Sequence, residues 1–209
     1  MTNETLRLIQ AVEEADSSDK LLDAVKALAE IRQNAGMDTL IAALGYNNPG
    51  AAVAAVDGLV ALGEAAVEPL LQNIDGYNYG ARAWSIRALA GIGDPRGLDI
   101  LLTAAETDFS LSVRRAAARG LGCIRWSNML PSLVQEKQLK VFQVLLEVSQ
   151  DPEWVVRYAA VFGLQFLGIN ASSYQPDLIP QIINRLDEIA RLDTQLAVRA
   201  RAVMAKKEL

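Results

Sequence analysis

Ala55-Val56-Asp57-Gly58-Leu59-Val60-Ala61-Leu62-Gly63 sets a small residue, a leucine, a second leucine three positions on and a closing glycine in one short run. Side chains three apart share a helix face, and a glycine just past the last of them suits the left-handed residue that ends a helix. The frame recurs along the chain. Its anchor leucine falls at Leu28, Leu59, Leu89, Leu121 and Leu164, followed three residues later by Ile31, Leu62, Ile92, Ile124 and Leu167. Such a stripe, written five times over, is the buried face of a helix that needs its neighbours to cover it.

Other columns agree with this register. A small residue precedes each leucine, namely Ala27, Gly58, Ala88, Gly120 and Gly163, which lets a neighbouring helix come close. Gly63, Gly93 and Gly168 stand at the expected helix ends, with Arg32 and Arg125 as the exceptions. A second helix is expected after each first one: GMDTLIAALG, AVEPLLQNI, RGLDILLTAAE, the longer MLPSLVQEKQLKVFQVLLEVS, and PDLIPQIINRLDEIA. The anchors are 31, 30, 32 and 43 residues apart, so the fourth repeat carries a lengthened second helix or an insertion. The Asp57-Gly58 and Asp75-Gly76 pairs lack flanking β-branched runs of period two, so they predict no hairpin. The expectation is an all-α solenoid of short two-helix repeats, about five plus a partial C-terminal one, forming a single domain over residues 1–209.

Composition narrows what this solenoid does. The 20 basic and 25 acidic residues, net −5, leave no basic footprint for a nucleic acid. No histidine is present, which removes the commonest metal ligand and every Ser-His-Asp or Cys-His mechanism. A lone cysteine, Cys123, excludes an internal disulfide and any CxxC pair, and no metal site is expected. The opening MTNETLRLIQAVEEADSSDK holds no apolar block of signal-peptide length, and the uncharged run 39–56 is broken by Asn47-Asn48-Pro49-Gly50. A cytoplasmic chain with no membrane span is expected.

Two arginine columns stand out. Arg82, Arg114, Arg157 and, in the unfinished sixth repeat, Arg199 lie seven residues before the anchor, on the inward stripe. With Asp108, Asp151 and Asp193 six residues upstream of the last three, they read as a structural ladder of stems packed inside and heads on loop aspartates or helix-end carbonyls. Arg87 and Arg119 lie only two residues before their anchors, about 160° from the core stripe, and so point outward. Adjacent repeats would set the two guanidinium groups side by side, a grip for a ligand with two carboxylates; a solvated face is the plain alternative. Tyr77, Tyr79, Trp84, Trp126, Trp154 and Tyr158 cluster in the same part of the chain, either as filler or as platforms for a flat ligand. Cys123 reads as a buried, inert thiol.

The segment Asp75-Gly-Tyr-Asn-Tyr-Gly-Ala-Arg-Ala-Trp-Ser-Ile-Arg-Ala-Leu-Ala-Gly-Ile-Gly-Asp-Pro-Arg-Gly-Leu98 resembles the signature stretch of the E/F-type phycobilin lyases, as does Leu111-Ser-Val-Arg-Arg-Ala-Ala-Ala-Arg-Gly-Leu-Gly122. The repeats resemble the HEAT-type repeats of that family, and length and opening residues are more similar to the F subunit than to the longer E subunit. The resemblance implies a heterodimer with an E-type lyase subunit that holds phycocyanobilin as substrate, with no tightly bound cofactor. It delivers the bilin to a cysteine of the apo-phycocyanin alpha subunit as a thioether. An open-chain bilin fits the residues read above, with two propionates for Arg87 and Arg119, a flat body for Tyr77, Tyr79, Trp84, Trp154 and Tyr158, and Asp75, beside Tyr77, as a candidate acid. A related subunit type that isomerises the pigment carries adjacent His and Cys; this chain has no His, so attachment without isomerisation is expected. A non-catalytic scaffold for protein–protein binding is the competing class, and the same site could also detach or transfer pigment.

Overall fold

The computed structural model describes residues 3–74 and 78–209, and among them it contains twelve α-helices and no strand. Helix α1 (Asn3–Glu13) precedes the repeats. The first helices are α2 (Ser18–Glu30), α4 (Pro49–Leu62), α6 (Tyr79–Ile92), α8 (Leu111–Leu121), α10 (Trp154–Ala171) and α12 (Leu196–Lys207). The second helices are α3 (Met37–Ala43), α5 (Val67–Gln72), α7 (Leu98–Thr107), α9 (Pro131–Val148) and α11 (Leu178–Leu192). All the expected first and second helices form, and α9, at 18 residues, accounts for part of the widened fourth spacing.

The contacts divide the chain into two compact units, Met1–Ile92 and Gly93–Leu209, so the boundary falls inside the third helix pair. In the first unit α2 packs on α4 and α4 on α6, with α1 against α2. In the second, α8 packs on α10 and α10 on α12, while α7, α9 and α11 back them. The anchor leucines are the core of these stacks: Leu28, Leu59, Leu89, Leu121 and Leu164 are all at most 1% exposed. Burying each one stabilises by about 1.5–3 kcal/mol relative to solvent. The small-residue column does what its spacing predicts, since a Cβ on Gly163 would lie 2.6 Å from the Ala118 carbonyl oxygen, and α8 and α10 meet there almost backbone to backbone.

Two helix ends differ from expectation. Gly63 and Gly93 take positive φ, 67° and 68°, as helix-terminating glycines should, and Arg32, the apparent exception, adopts φ 49° in the same role. Gly168, in contrast, is no cap. It lies inside α10, which continues to Ala171, and its missing side chain makes room for Leu209 and Ile182. The run Pro49–Gln72 passes a length-and-hydropathy test for a membrane span, but its helix breaks at Gly63 and half of its most apolar window is buried in the first unit.

Three of the four inward arginines, Arg114, Arg157 and Arg199, form the expected ladder, with one change of partner, while the Arg82 guanidinium lies over the Tyr79 ring. In the second unit, Arg114 donates from Nη1 to the Asp108 and Phe109 carbonyls of its own loop, at 2.9 and 3.0 Å. Its carboxylate comes from the next repeat, where Nε and Nη2 take Asp151 bidentately at 2.7 and 3.2 Å. Arg157 repeats this with the Asp151 and Pro152 carbonyls and a fork on Asp193 at 2.7 and 3.0 Å. Each aspartate also accepts from the backbone N–H two residues on, Glu153 for Asp151 and Gln195 for Asp193, both at 2.8 Å, which starts the following helix. Arg199 closes the series on the Asp193 carbonyl at 2.8 Å. The repeats are therefore bolted together by charge-assisted bonds on side chains that are only 6–14% exposed.

Candidate functional site

Helix α10 carries an aromatic residue every fourth position: Trp154, Tyr158, Phe162 and Phe166. Successive fourth residues advance about 6 Å along a helix while turning only about 40°, so the four rings make one slowly winding stripe. Trp154 and Tyr158 are 43% and 39% exposed, whereas Phe162 and Phe166 are half-buried and stacked on one another with centroids 4.4 Å apart. The α10 face that carries these rings lies opposite the one that buries Leu164.

Arginines from both neighbouring helices reach the third ring of this stripe. The Arg119 guanidinium of α8 sits 3.9 Å from the Phe162 centroid, and that of Arg201 on α12 sits 5.5 Å from it. Arg201 also donates from Nη2 to the buried Gln165 amide oxygen. Burial, aided by the positive charge of Arg119, pulls the Arg201 pKa below the ordinary guanidinium value. Among the described residues no carboxylate pairs with Arg119 or Arg201. Cys123 lies beside Arg119, donating from Sγ to its carbonyl at 3.6 Å, with its thiol pKa pushed up by burial. The thiol is half-buried, not buried as the sequence suggests, and its raised pKa favours the protonated, less nucleophilic form.

The residues expected at the site fall into two groups. Arg119 lies on α8, and Trp154 and Tyr158 lie on the neighbouring α10 of the second unit, with Arg119 over Phe162, one helical turn beyond Tyr158 and two beyond Trp154. Tyr79, Trp84 and Arg87 lie on α6 in the first unit, where Arg87 is exposed and its guanidinium sits 5.4 Å from the Trp84 ring centroid. Tyr79 is 52% exposed, with the Arg82 guanidinium 5.3 Å from its ring. Asp75 and Tyr77 lie outside the described residues. Phe162, Phe166 and Arg201 were not anticipated. The signal for the first two was the four-residue aromatic spacing and the fact that Phe162, two residues before Leu164, occupies the same column as Arg87 and Arg119. Nothing in the sequence signalled Arg201, which stands in neither arginine column of the frame. No group of three or more His, Cys, Asp or Glu among the described residues is placed to hold a metal ion.

The helical stack and its outward face define a HEAT-repeat protein, and residues 67–165 match the family described as HEAT repeats. More specific likenesses cover the whole chain. It is 52% identical over 100% of its length, and 74% of the relative's, to a phycocyanobilin lyase subunit beta of Pseudanabaena tenuis. It is 56% identical over 85% of its length, and 83% of the relative's, to the phycocyanin alpha phycocyanobilin lyase CpcF of a Synechocystis strain. Among solved structures, a chain in the complex of CpcE and CpcF of phycocyanin lyase from a Nostoc strain matches with TM-score 0.77 and 52% identity, covering 83% of this chain and 99% of that one. The chain belongs to the E/F-type phycobilin lyase family, and within it to the F-type subunits.

Proposed function

We propose that the chain works in the cytoplasm as the F-type half of a heterodimeric lyase. With an E-type subunit it holds phycocyanobilin and joins it to a cysteine of the phycocyanin alpha chain. The observation that carries this reading is the full-length identity to F-type lyase subunits, together with the fold match to an F-type chain solved with its E-type partner. The bond formed is a thioether: the antenna cysteine adds across the ethylidene double bond of the pigment, sulfur to one carbon and a proton to the conjugated system. The nucleophile belongs to the antenna protein, in keeping with a Cys123 thiol whose pKa burial raises. What the lyase supplies is position and, from a carboxylate such as Asp75, a proton.

The side chains proposed to contact pigment are Arg119, Trp154 and Tyr158 in the second unit, and Tyr77, Tyr79, Trp84 and Arg87 in the first. Guanidinium forks suit propionates, and exposed rings suit a flat conjugated body. No tightly bound cofactor enters this scheme. Absence of histidine supports attachment without isomerisation of the pigment. Co-production of both subunits with the apo alpha chain and phycocyanobilin tests the proposal. Covalent colour on the alpha chain in a denaturing gel, dependent on both subunits, is the expected result. An uncoloured alpha chain, with the two subunits still binding each other, would reduce this protein to a scaffold.

A further inference from the structure

We propose that Arg119 and Arg201, gathered on the ring of Phe162, form a carboxylate seat for one propionate of the pigment, whose conjugated body runs from there along Tyr158 toward Trp154. This inference rests on the proposed function and adds Phe162, Gln165 and Arg201 to it. The first ground is charge. Two guanidinium groups share one aromatic ring with no carboxylate paired to either among the described residues, an arrangement that mutual repulsion opposes and that burial opposes further at Arg201, Arg119 being exposed. In the same unit the inward Arg114 and Arg157, by contrast, each have a bidentate aspartate. A bound carboxylate would supply the missing counter-charge.

The second ground is how the site is built. Gln165, 7% exposed, accepts from Arg201 and holds that guanidinium in place, so the charge is fixed rather than waving in solvent. Phe166 stacks behind Phe162 at 4.4 Å and stiffens the floor. Third, the open end of the stripe points to the kind of ligand. From Phe162 to Trp154 is eight residues, about 12 Å of helix, along which the side chains become progressively more exposed. That suits a carboxylate attached to a long flat body better than an isolated acidic side chain.

The test compares phycocyanobilin with its dimethyl ester, titrated by visible absorbance into the full chain in complex with its E-type partner. The wild-type complex is expected to bind the free acid at least about tenfold more tightly than the ester, the scale of one charge-assisted fork. Arg201→Gln and Arg119→Gln should each weaken binding of the acid by about tenfold and leave the ester nearly unaffected, so that the discrimination collapses. Arg201→Lys, which keeps the charge but loses the fork and disturbs packing least, should retain part of it. Helix content and affinity for the E-type partner serve as folding controls. Discrimination that survives in all three variants overturns the seat. So does a loss of partner affinity with discrimination intact, because the arginines would then serve a protein contact. A wild-type complex that discriminates, but by other residues, leaves the proposed function standing; a complex that takes up no pigment at all removes both.

Discussion

Arginines on the inner and outer faces of the second unit obey different electrostatics. Inside, Arg114 and Arg157 are clamped between loop carbonyls and the aspartate of the next repeat, their side chains 14% and 13% exposed. Outside, Arg119 and Arg201 lean on Phe162, and no carboxylate among the described residues pairs with them. The pKa values follow the surroundings: Asp151 and Asp193 hold the inner guanidiniums above their ordinary value, while burial and a like charge pull Arg201 below it. One residue type thus serves two ends, and its partner decides which. The arginines paired with aspartate join repeats; the two on Phe162 are the ones proposed to take a ligand.

The largest effect should come from breaking the inner set. Removing one partner of a largely buried ion pair leaves the other uncompensated, so Arg157→Ala should destabilise the chain by about 2–4 kcal/mol, toward the lower part of the range for buried pairs because some solvent reaches the site. Urea unfolding followed by circular dichroism measures it. A loss below about 0.5 kcal/mol would make the ladder ornamental and erase the contrast. Next in size is the acid limb of the stability curve. Hydrogen bonds from Arg157, opposed in part by burial, lower the Asp193 pKa. Folded and unfolded values then differ in the sense that stabilises above the unfolded value of about 3.9, and that stability is lost as pH falls through the folded value. Asp193→Asn should flatten the decline in unfolding free energy below about pH 4 relative to wild type. The guanidiniums stay charged throughout, so no corresponding basic limb should be traced to this pair.

Much of this architecture was legible in the sequence, because a repeat restates its own register. Five leucines in one column all proved buried, and the arginine seven residues earlier proved to lie inside with its head on a loop. What the column could not reveal was where the aspartate partner comes from. Asp108 and Asp151 stand six residues before Arg114 and Arg157, yet the carboxylates that clamp these arginines lie 37 and 36 residues downstream. A local spacing cannot show that the next loop folds back over the helix. Gly168 misled for a related reason. The frame expects a cap there, but α10 runs on, and the glycine instead admits Leu209 from outside the repeat. Arg32 shows the converse, a left-handed helix end without a glycine.

On the candidate site the sequence was clear about residue types and silent about grouping. Arg87 and Arg119 share a column and both point outward, but they belong to different compact units. The partner that Arg119 meets is Arg201, on a helix two places further along the stack. Arginine was the residue sought in that column, so the phenylalanine occupying it in the next repeat went unread. Charge alone is a poor guide to such a site, because its distinguishing property is the absence of an expected partner.

The smallest effect is also the most discriminating. If Arg201 were structural like Arg157, replacing it with methionine would be costly, because the charge is part of a pair. If it is poised for a ligand, its charge is a burden in the free protein, and an unbranched apolar side chain of similar length removes the burden while keeping the packing on Phe162. Gln165 would lose one hydrogen bond, a loss of about 1 kcal/mol that the relief of repulsion with Arg119 offsets. Arg201→Met should therefore change unfolding free energy by less than about 1 kcal/mol, in either direction, while abolishing the distinction between acid and ester pigment. A destabilisation as large as that of Arg157→Ala, measured in the same urea titration, would place Arg201 with the ladder and leave the outer face with a single candidate arginine.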